Sequence, residues 1–466
     1  MKIYDRMYGE YKFPPIIMDL LDCPGLLRLR NVRMANNQFV AFPAFSTTTR
    51  YEHSLGVCHL AEICADSIGL NEKERIELMI ACLYHDVGTP PFAHAMEEVL
   101  QARFGFDHED NLKNLILGTT GLFDGEMAQI YQGEGLKLRS VCQGSKARKL
   151  KIDIHKIAKL AVGDKNEYLS PLLNGDGMDL DNIDNIFRAS SAMGLISCNA
   201  GEMAQNLAAA FLIKENRVYY NGLFSSNIYN WQRIRDIQYS AIFESIDDFA
   251  YQTMIKKAIA LLLDEKNRES QLDVNSWRLT DSDLTEKLLN EPKSCEIMRR
   301  VMLCRPYECL GILYVCGEQV SQFINMNLRE IETIVGDLFV STLGLSTKRL
   351  ASSIVEPVVA NFFPDKRKRQ INRHAIIWNE EVELDNSIPM KQGALLGLFT
   401  PFSNSSYKLV DDKRRNVKFT KEDLQKVIDI LTKGILKGYN ITIYGSDDNG
   451  ETKTDFKSDQ LEFSGL

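Results

Sequence analysis

Residues 50–56 read RYEHSLG, and residues 83–94 read LYHDVGTPPFAH. The first stretch sets a histidine inside a helical pattern. The second ends a helix on His85-Asp86, turns through Gly and Pro, and then sets down His94. Histidine is scarce here, seven in 466 residues, and five of the seven lie between 53 and 108. Further on, LDNIDNIFR supplies Asp181. Imidazole and carboxylate together suit a divalent metal such as Fe, Mn, Zn, Co or Mg. A lone histidine is more often a core or surface residue than a ligand, and a lone HD pair says little. The order H…HD…D, each member in its own helical segment, is what carries the reading. His59, six positions beyond His53, points to another face and reads as structural. Gly56, three residues after His53, lies on the ligand face and lets a neighbouring helix approach.

Working outward, RYEHSLGVCHLAEICADSIGL reads as one helix ending at Gly69. NEKERIELMIACLYHDVG opens on Asn71 as an N-cap, followed by acidic residues. HEDNLKNLI and residues 177–195 read as further helices. Upstream, YKFPPIIMDLLDCPGLLRLRNVRM has helical spacing broken at Pro14-Pro15 and Pro24-Gly25. Residues 117–150, glycine-rich with a basic run, read as a loop or insertion, and 200–350 as mainly helical. After about 360 the composition shifts. DKRKRQINR is a charge run, HAIIWNEEVEL alternates like a strand, TKEDLQKVIDILTKGI is an amphipathic helix, and ITIYG reads as a strand. The expected fold is mainly α: a helical metal-dependent core with its N-terminal segment over 1–200, a helical extension over 201–359, and a small α+β module over 360–466.

Length allows two or three domains with ample core. A formal charge of −8 argues against a chain-wide nucleic-acid footprint and leaves local basic patches open. The N-terminus has no long apolar run, and no stretch approaches the roughly 18 apolar residues of a membrane span. Ten cysteines, none in a C-x-x-C pair, read with the missing signal as reduced cytoplasmic thiols.

The segments YDRMYGEYKFPPIIMDLLDCPGLLRLRNVRM, FPAFSTTTRYEHSLGV, HDVGTPPFAH, DLDNIDNIFR and WQRIRDIQY together resemble the HD-domain phosphohydrolases. The nearest branch in pattern is the deoxynucleoside triphosphate triphosphohydrolases, which includes bacterial dGTPase-like enzymes and the animal enzyme joining a sterile-alpha-motif domain to an HD domain. The resemblance covers the first two-thirds of the chain and fades near 307. It implies an HD-domain helical core with His53, His85, Asp86 and Asp181 as metal ligands. It implies that His94, Glu97 and His108 form a catalytic histidine-carboxylate group beside the water that the metal activates. It assigns Arg50 and Arg235 to the phosphates, as guanidinium forks suit phosphate oxygens. It further implies a nucleotide substrate, a nucleotide activator and a homo-oligomer.

The departures bear on the substrate. Thr89 stands where the family usually has a histidine. Asn182, Asn185 and Ala189 stand where it usually has a cation, a tyrosine and an aspartate, and Phe243 where it often has a tyrosine. Spacings of three and four put the first three on one helical face, a substrate-facing wall. Asp184 and Arg188 match, or form an i,i+4 ion pair. The basic residues Lys137, Arg139, Lys146, Arg148 and Lys149 either replace lost charge or are simply solvated. Three functions therefore stand: hydrolysis of dNTPs to deoxynucleoside and triphosphate, hydrolysis of a nucleoside monophosphate or other phosphoester, and non-catalytic nucleotide sensing.

Overall fold

The computed structural model describes residues 2–35, 42–124, 135–175, 178–196, 199–243, 245–263, 272–316, 320–324 and 326–342, and beyond them 357–364, 376–379, 382–385, 393–401, 420–437, 439 and 441–444. The charge run 365–373 lies outside the described residues. The chain is mainly α and forms two compact units. The first holds Met1–Ala241, Ile255–Cys304 and Ile371–Pro389, and the second Ile242–Met254, Arg305–Gln370 and Met390–Leu466.

At the centre of the first unit is the helix Arg50–Ser67, buried at every position from His53 to Ala61. A helix apolar or small on all sides has no solvent face and must be surrounded. It packs against the helices Glu72–Tyr84, Leu180–Ala192 and Ala200–Ala208. Its start is set by a reciprocal capping box between Thr49 and Glu52. Asn71 caps the second helix through Glu74 N, as its position before the acidic turn predicts. His94–Phe104 and His108–Leu117 each end on a left-handed glycine, Gly105 and Gly118. The helix Ile154–Ala161 packs on both the 72–84 and 108–117 helices.

The loop expected over 117–150 carries two short helices, Leu138–Cys142 and Ser145–Leu150, seated by the buried Leu138 and Ala147. Strands also interrupt the helical reading of 200–350: Phe211–Lys214 and Arg217–Asn221 pair antiparallel, and Glu308–Cys316 is a nine-residue strand. HAIIWNEEVEL is two strands, Ile376–Asn379 and Val382–Asp385, and the first adds in parallel to Arg217–Asn221 within the first unit. Strand pairing across more than 150 residues leaves no local periodic mark, so the alternation alone could not assign it.

The second unit is built on a four-stranded antiparallel sheet in the order 441–444, 308–316, 393–400, 359–364. The helices Leu328–Thr342 and Lys421–Lys433 pack together beside it. Their apolar residues Ile331, Val335, Phe339, Val427 and Leu431 join Leu313, Leu396 and Leu398 of the sheet in one core. No helix among the described residues is long and apolar enough to cross a membrane.

Candidate metal centre

Three helices of the first unit aim polar groups at one point. His53 Nε2 lies 2.8 Å from Asp181 Oδ1 and 3.3 Å from His85 Nε2. His85 Nε2 lies 3.7 Å from Asp181 Oδ1. Asp86 Oδ2 is 3.6 Å from His85 Nε2 and 4.0 Å from His53 Nε2. One donor atom each from His53, His85 and Asp181 falls within a 4.8 Å span, a set able to hold a metal ion.

The outer nitrogens of both rings are already engaged. His85 Nδ1 donates to Cys82 O at 2.8 Å, and His53 Nδ1 to Asp184 Oδ1 at 2.7 Å. These bonds leave each Nε2 pointing inward, where it could serve as a ligand nitrogen, the usual way a protein orients a metal-binding histidine. His53 Nε2 also faces a carboxylate, so a proton or a cation must sit between them. Burial opposes charge on His53, yet hydrogen bonds to Asp181 and Asp184 raise its pKa to about 10. Burial works against ionisation of Asp181 as well, but the two histidines hold it well below the usual carboxylate range. The residues therefore fit a divalent ion, which would take the place of that proton.

Behind His53 stands a buried ion network. Arg188 Nε donates to Asp184 Oδ1 at 2.8 Å, and Arg188 Nη2 to Asp5 Oδ2 at 3.0 Å. Tyr8 Oη donates to Asp184 Oδ2 at 2.8 Å. Asp184, despite its burial, is held down to about 2, chiefly by Arg188. The i,i+4 pair is thus also the group that orients His53. Gly56 permits it: a Cβ there would lie 2.0 Å from Asp184 Oδ2 and 2.4 Å from Arg188 Nη2. His59 is buried in aromatic packing, stacked on Tyr11 at 4.3 Å, and burial depresses its pKa to about 4.

The cleft over the centre has a volume of about 280 Å³. It is lined by Arg50, Thr89, His94, Glu97, His108 and Asn185 as well as the ligand residues. Arg50 Nη1 donates to both oxygens of Asp86, at 2.7 and 2.8 Å, and Thr89 Oγ1 to Asp86 Oδ1 at 3.0 Å. His94 Nδ1 lies 3.1 Å from Glu97 Oε2, and His108 Nδ1 3.8 Å from Glu97 Oε1. Burial raises the Glu97 carboxyl, but His94 and His108 outweigh it and hold the group ionised.

The structure does not bring every named residue to this cleft. Arg235 is buried, lies over the rings of Trp231 and Tyr239, and donates to Asn182 Oδ1 at 3.3 Å. Asn182 is tied to Asp179, the N-cap of its helix, at 2.7 Å. Ala189 is fully buried. Of the three positions on that face, Asn185 alone lines the cleft. Phe243 ends the helix Ser225–Phe243, and its side chain is outside what is described. Lys137 pairs with Asp22 rather than lining the cleft. Asp5, Tyr8, Arg28 and Asp281 escaped the sequence reading of the site. Each lies in a distant segment, and only Arg28, set between Leu27 and Leu29, carries a signal, a charge among apolar neighbours.

Residues 50–150 match the HD domain family model. The chain is 29% identical over 206 residues to the deoxynucleoside triphosphate triphosphohydrolase SAMHD1 homolog of Dictyostelium discoideum, covering 41% of this chain and 36% of that protein. It is 31% identical over 102 residues to the deoxynucleoside triphosphate triphosphohydrolase SAMHD1 of Homo sapiens, covering 20% and 16%. The chain thus spans little more than a third, or less, of the length of these relatives. Among solved structures, a phosphohydrolase from Bacteroides thetaiotaomicron aligns with a TM-score of 0.61 at 15% identity, over 86% of this chain and all of that one. A hypothetical protein from Aquifex aeolicus aligns at 0.56 and 19%, over 86% and 96%. At such identities the likeness is one of fold. Residues 50–150 are thus similar to the HD-domain class, and His53, His85 and Asp181 form a cluster that could hold a metal ion. Within that class, the chain resembles the dNTP triphosphohydrolase branch of the HD phosphohydrolases.

Proposed function

We propose that the chain is a metal-dependent phosphohydrolase that cleaves deoxynucleoside triphosphates to deoxynucleoside and inorganic triphosphate. The observation that carries this is the cleft itself, where a His53/His85/Asp181 centre, the Arg50 guanidinium and a His94–Glu97–His108 group line one space. A divalent ion bound there supplies Lewis-acid activation of water and neutralises phosphate charge. His53, His85 and Asp181 hold that ion, with Asp86 as the fourth ligand, and Asp184 keeps the His53 ring in the ligating tautomer.

Arg50 binds a phosphate oxygen while its other contacts secure Asp86. Hydrolysis forms one bond from water oxygen to phosphorus and breaks one from phosphorus to the sugar oxygen. His94 delivers the proton that the leaving oxygen needs, and Glu97, accepting from its Nδ1, assigns that transfer to Nε2. Glu97 also balances the charge the ring gains when it takes a proton from water. Nucleotide activation and a homo-oligomer belong to the same proposal, by resemblance.

A second reading, a nucleoside monophosphate or another phosphomonoester, draws support from Arg235. Its guanidinium is buried against two aromatic rings and is not among the cleft-lining residues, so Arg50 is the guanidinium there among the described residues. A monophosphate needs less positive charge than a triphosphate.

One experiment separates the two. Purified protein is incubated with each dNTP and each deoxynucleoside monophosphate, singly and in mixtures, with Mn or Mg. Products are resolved by chromatography. Deoxynucleoside with intact triphosphate, lost in Asp181→Ala, supports the first reading. Phosphate release from monophosphates alone supports the second. No turnover of any phosphoester by metal-loaded protein would sink both.

A further inference from the structure

The turn between Asp86 and His94 carries two residues in conformations that L side chains avoid. Phe92 has φ 52°, and Ala93 has φ 44° with ψ −121°. Such geometry persists only where surroundings over-determine it, and the contacts that do so come from far along the chain. Asp281, 6% exposed, accepts from Phe92 N at 2.9 Å and from Arg33 N at 3.0 Å. The buried Arg28 spends its guanidinium on four carbonyls. Its Nη2 donates to Val87 O at 3.1 Å and Thr89 O at 2.6 Å, and its Nη1 to Trp277 O at 3.2 Å and Leu279 O at 2.8 Å. Arg28 thus ties two carbonyls of the first half of the turn, Val87 O and Thr89 O, to the segment that presents Asp281 to the second half.

We infer that Arg28 and Asp281 are positioning residues, a clamp that holds the strained 87–93 turn and so sets His94 and Glu97 against the metal ligands. Neither touches a ligand atom of His53, His85 or Asp181. The clamp acts on the spacing between the metal side of the cleft and its proton-transfer side, since the turn joins Asp86 directly to His94. This inference rests on the phosphohydrolase reading of the cleft.

The test uses the full-length, metal-loaded protein with Asp281→Ala, Asp281→Asn and Arg28→Lys, and with Ala93→Gly added to each. Metal content, kcat, KM and amide exchange over 88–96 are measured. Asp281→Ala is expected to keep its metal and to lose about 100-fold in kcat, the scale of an ångström-sized misplacement, with KM little changed. Asp281→Asn keeps one acceptor oxygen but turns an amide N–H2 toward the other backbone N–H, so it falls between. Arg28→Lys keeps the charge and loses the fork, and it moves in the same direction. Exchange accelerates at the turn and not across the unit. Ala93→Gly then recovers part of the lost kcat, because glycine occupies φ 44° without a Cβ clash. A purely structural loss would show no such recovery. Loss of metal together with kcat, or faster exchange throughout with no rescue by Ala93→Gly, would overturn the clamp. If the wild type turns over no phosphoester, the functional reading fails by itself. Exchange then decides the clamp alone: acceleration confined to the turn supports it, and an unchanged turn overturns it.

Discussion

Two histidines of one cleft live in opposite surroundings. The His53 side chain is 3% exposed, and the His94 side chain is 65% exposed. His53 is held at both ring nitrogens by carboxylates, and one of those is backed by Arg188, Tyr8 and Asp5. His94 stands at the first turn of its helix, after a strained turn, with Glu97 as its carboxylate. The metal side is fixed by burial and a dense charge network. The side proposed for proton transfer follows a turn of unusual backbone shape. A metal ligand needs an unvarying position and a low local dielectric, whereas a proton-transferring group must reach substrate and water.

The sharpest way to break this contrast is Asp181→Ala. It removes a ligand without touching the His94 side, and both metal content and turnover should vanish together. Full metal occupancy with lost activity would mean that Asp181 serves the substrate and not the ion. Next comes His94→Ala, expected to lower kcat by about 10²–10⁴-fold while metal content and thermal midpoint stay near wild type. A matching fall in stability would erase the distinction between the two sides.

Gly56→Ala probes the burial side alone. Its new methyl meets Asp184 and Arg188, and overpacking of this kind costs about 1–3 kcal/mol. Thermal unfolding should register that loss, and metal affinity should weaken as His53 loses its orienting partner.

The gentlest test is pH. In metal-free protein the folded pKa of His53, raised to about 10, lies above its unfolded value. Its charge pairing therefore stabilises the fold fully below about pH 6.5, the ordinary histidine value, and that contribution is lost as pH rises through about 10. Asp184, held down to about 2, works the other way: its contribution is present above the ordinary aspartate range and lost as pH falls through about 2. Metal must displace the His53 proton, so its affinity should rise with pH across the same window. Denaturant melts with and without Mn, from pH 5 to 10, would show the two curves diverging. Parallel curves would remove the proton–metal competition from the account.

Much of the first side was readable from residues alone. His53, His85, Asp86 and Asp181 stand in helical segments, one of them announced by its Asn71 cap, and the small Gly56 points to close helix approach. The 421–433 helix and the 441–444 strand were equally legible, the helix by its amphipathic spacing. The short helices over 138–150 and the strands at 211–221 and 308–316 were not. The short helices are seated by burial, the 211–221 strands pair with each other and with 376–379, and the 308–316 strand pairs with 393–400 and 441–444; pairing with distant segments is something local periodicity does not record.

The same division runs through the cleft. Sequence determined which residues can bind a metal, because ligand chemistry belongs to side-chain type and helical spacing fixes which faces they share. Tertiary structure alone decided that Asp184 orients His53, that Arg235 donates to Asn182 on another helix, and that Asp281 meets the Phe92 amide 189 positions away. Those choices turn on a hydrogen bond's reach of about 3 Å. Contacts that short between segments far apart exist only once the chain has closed its loops around the core.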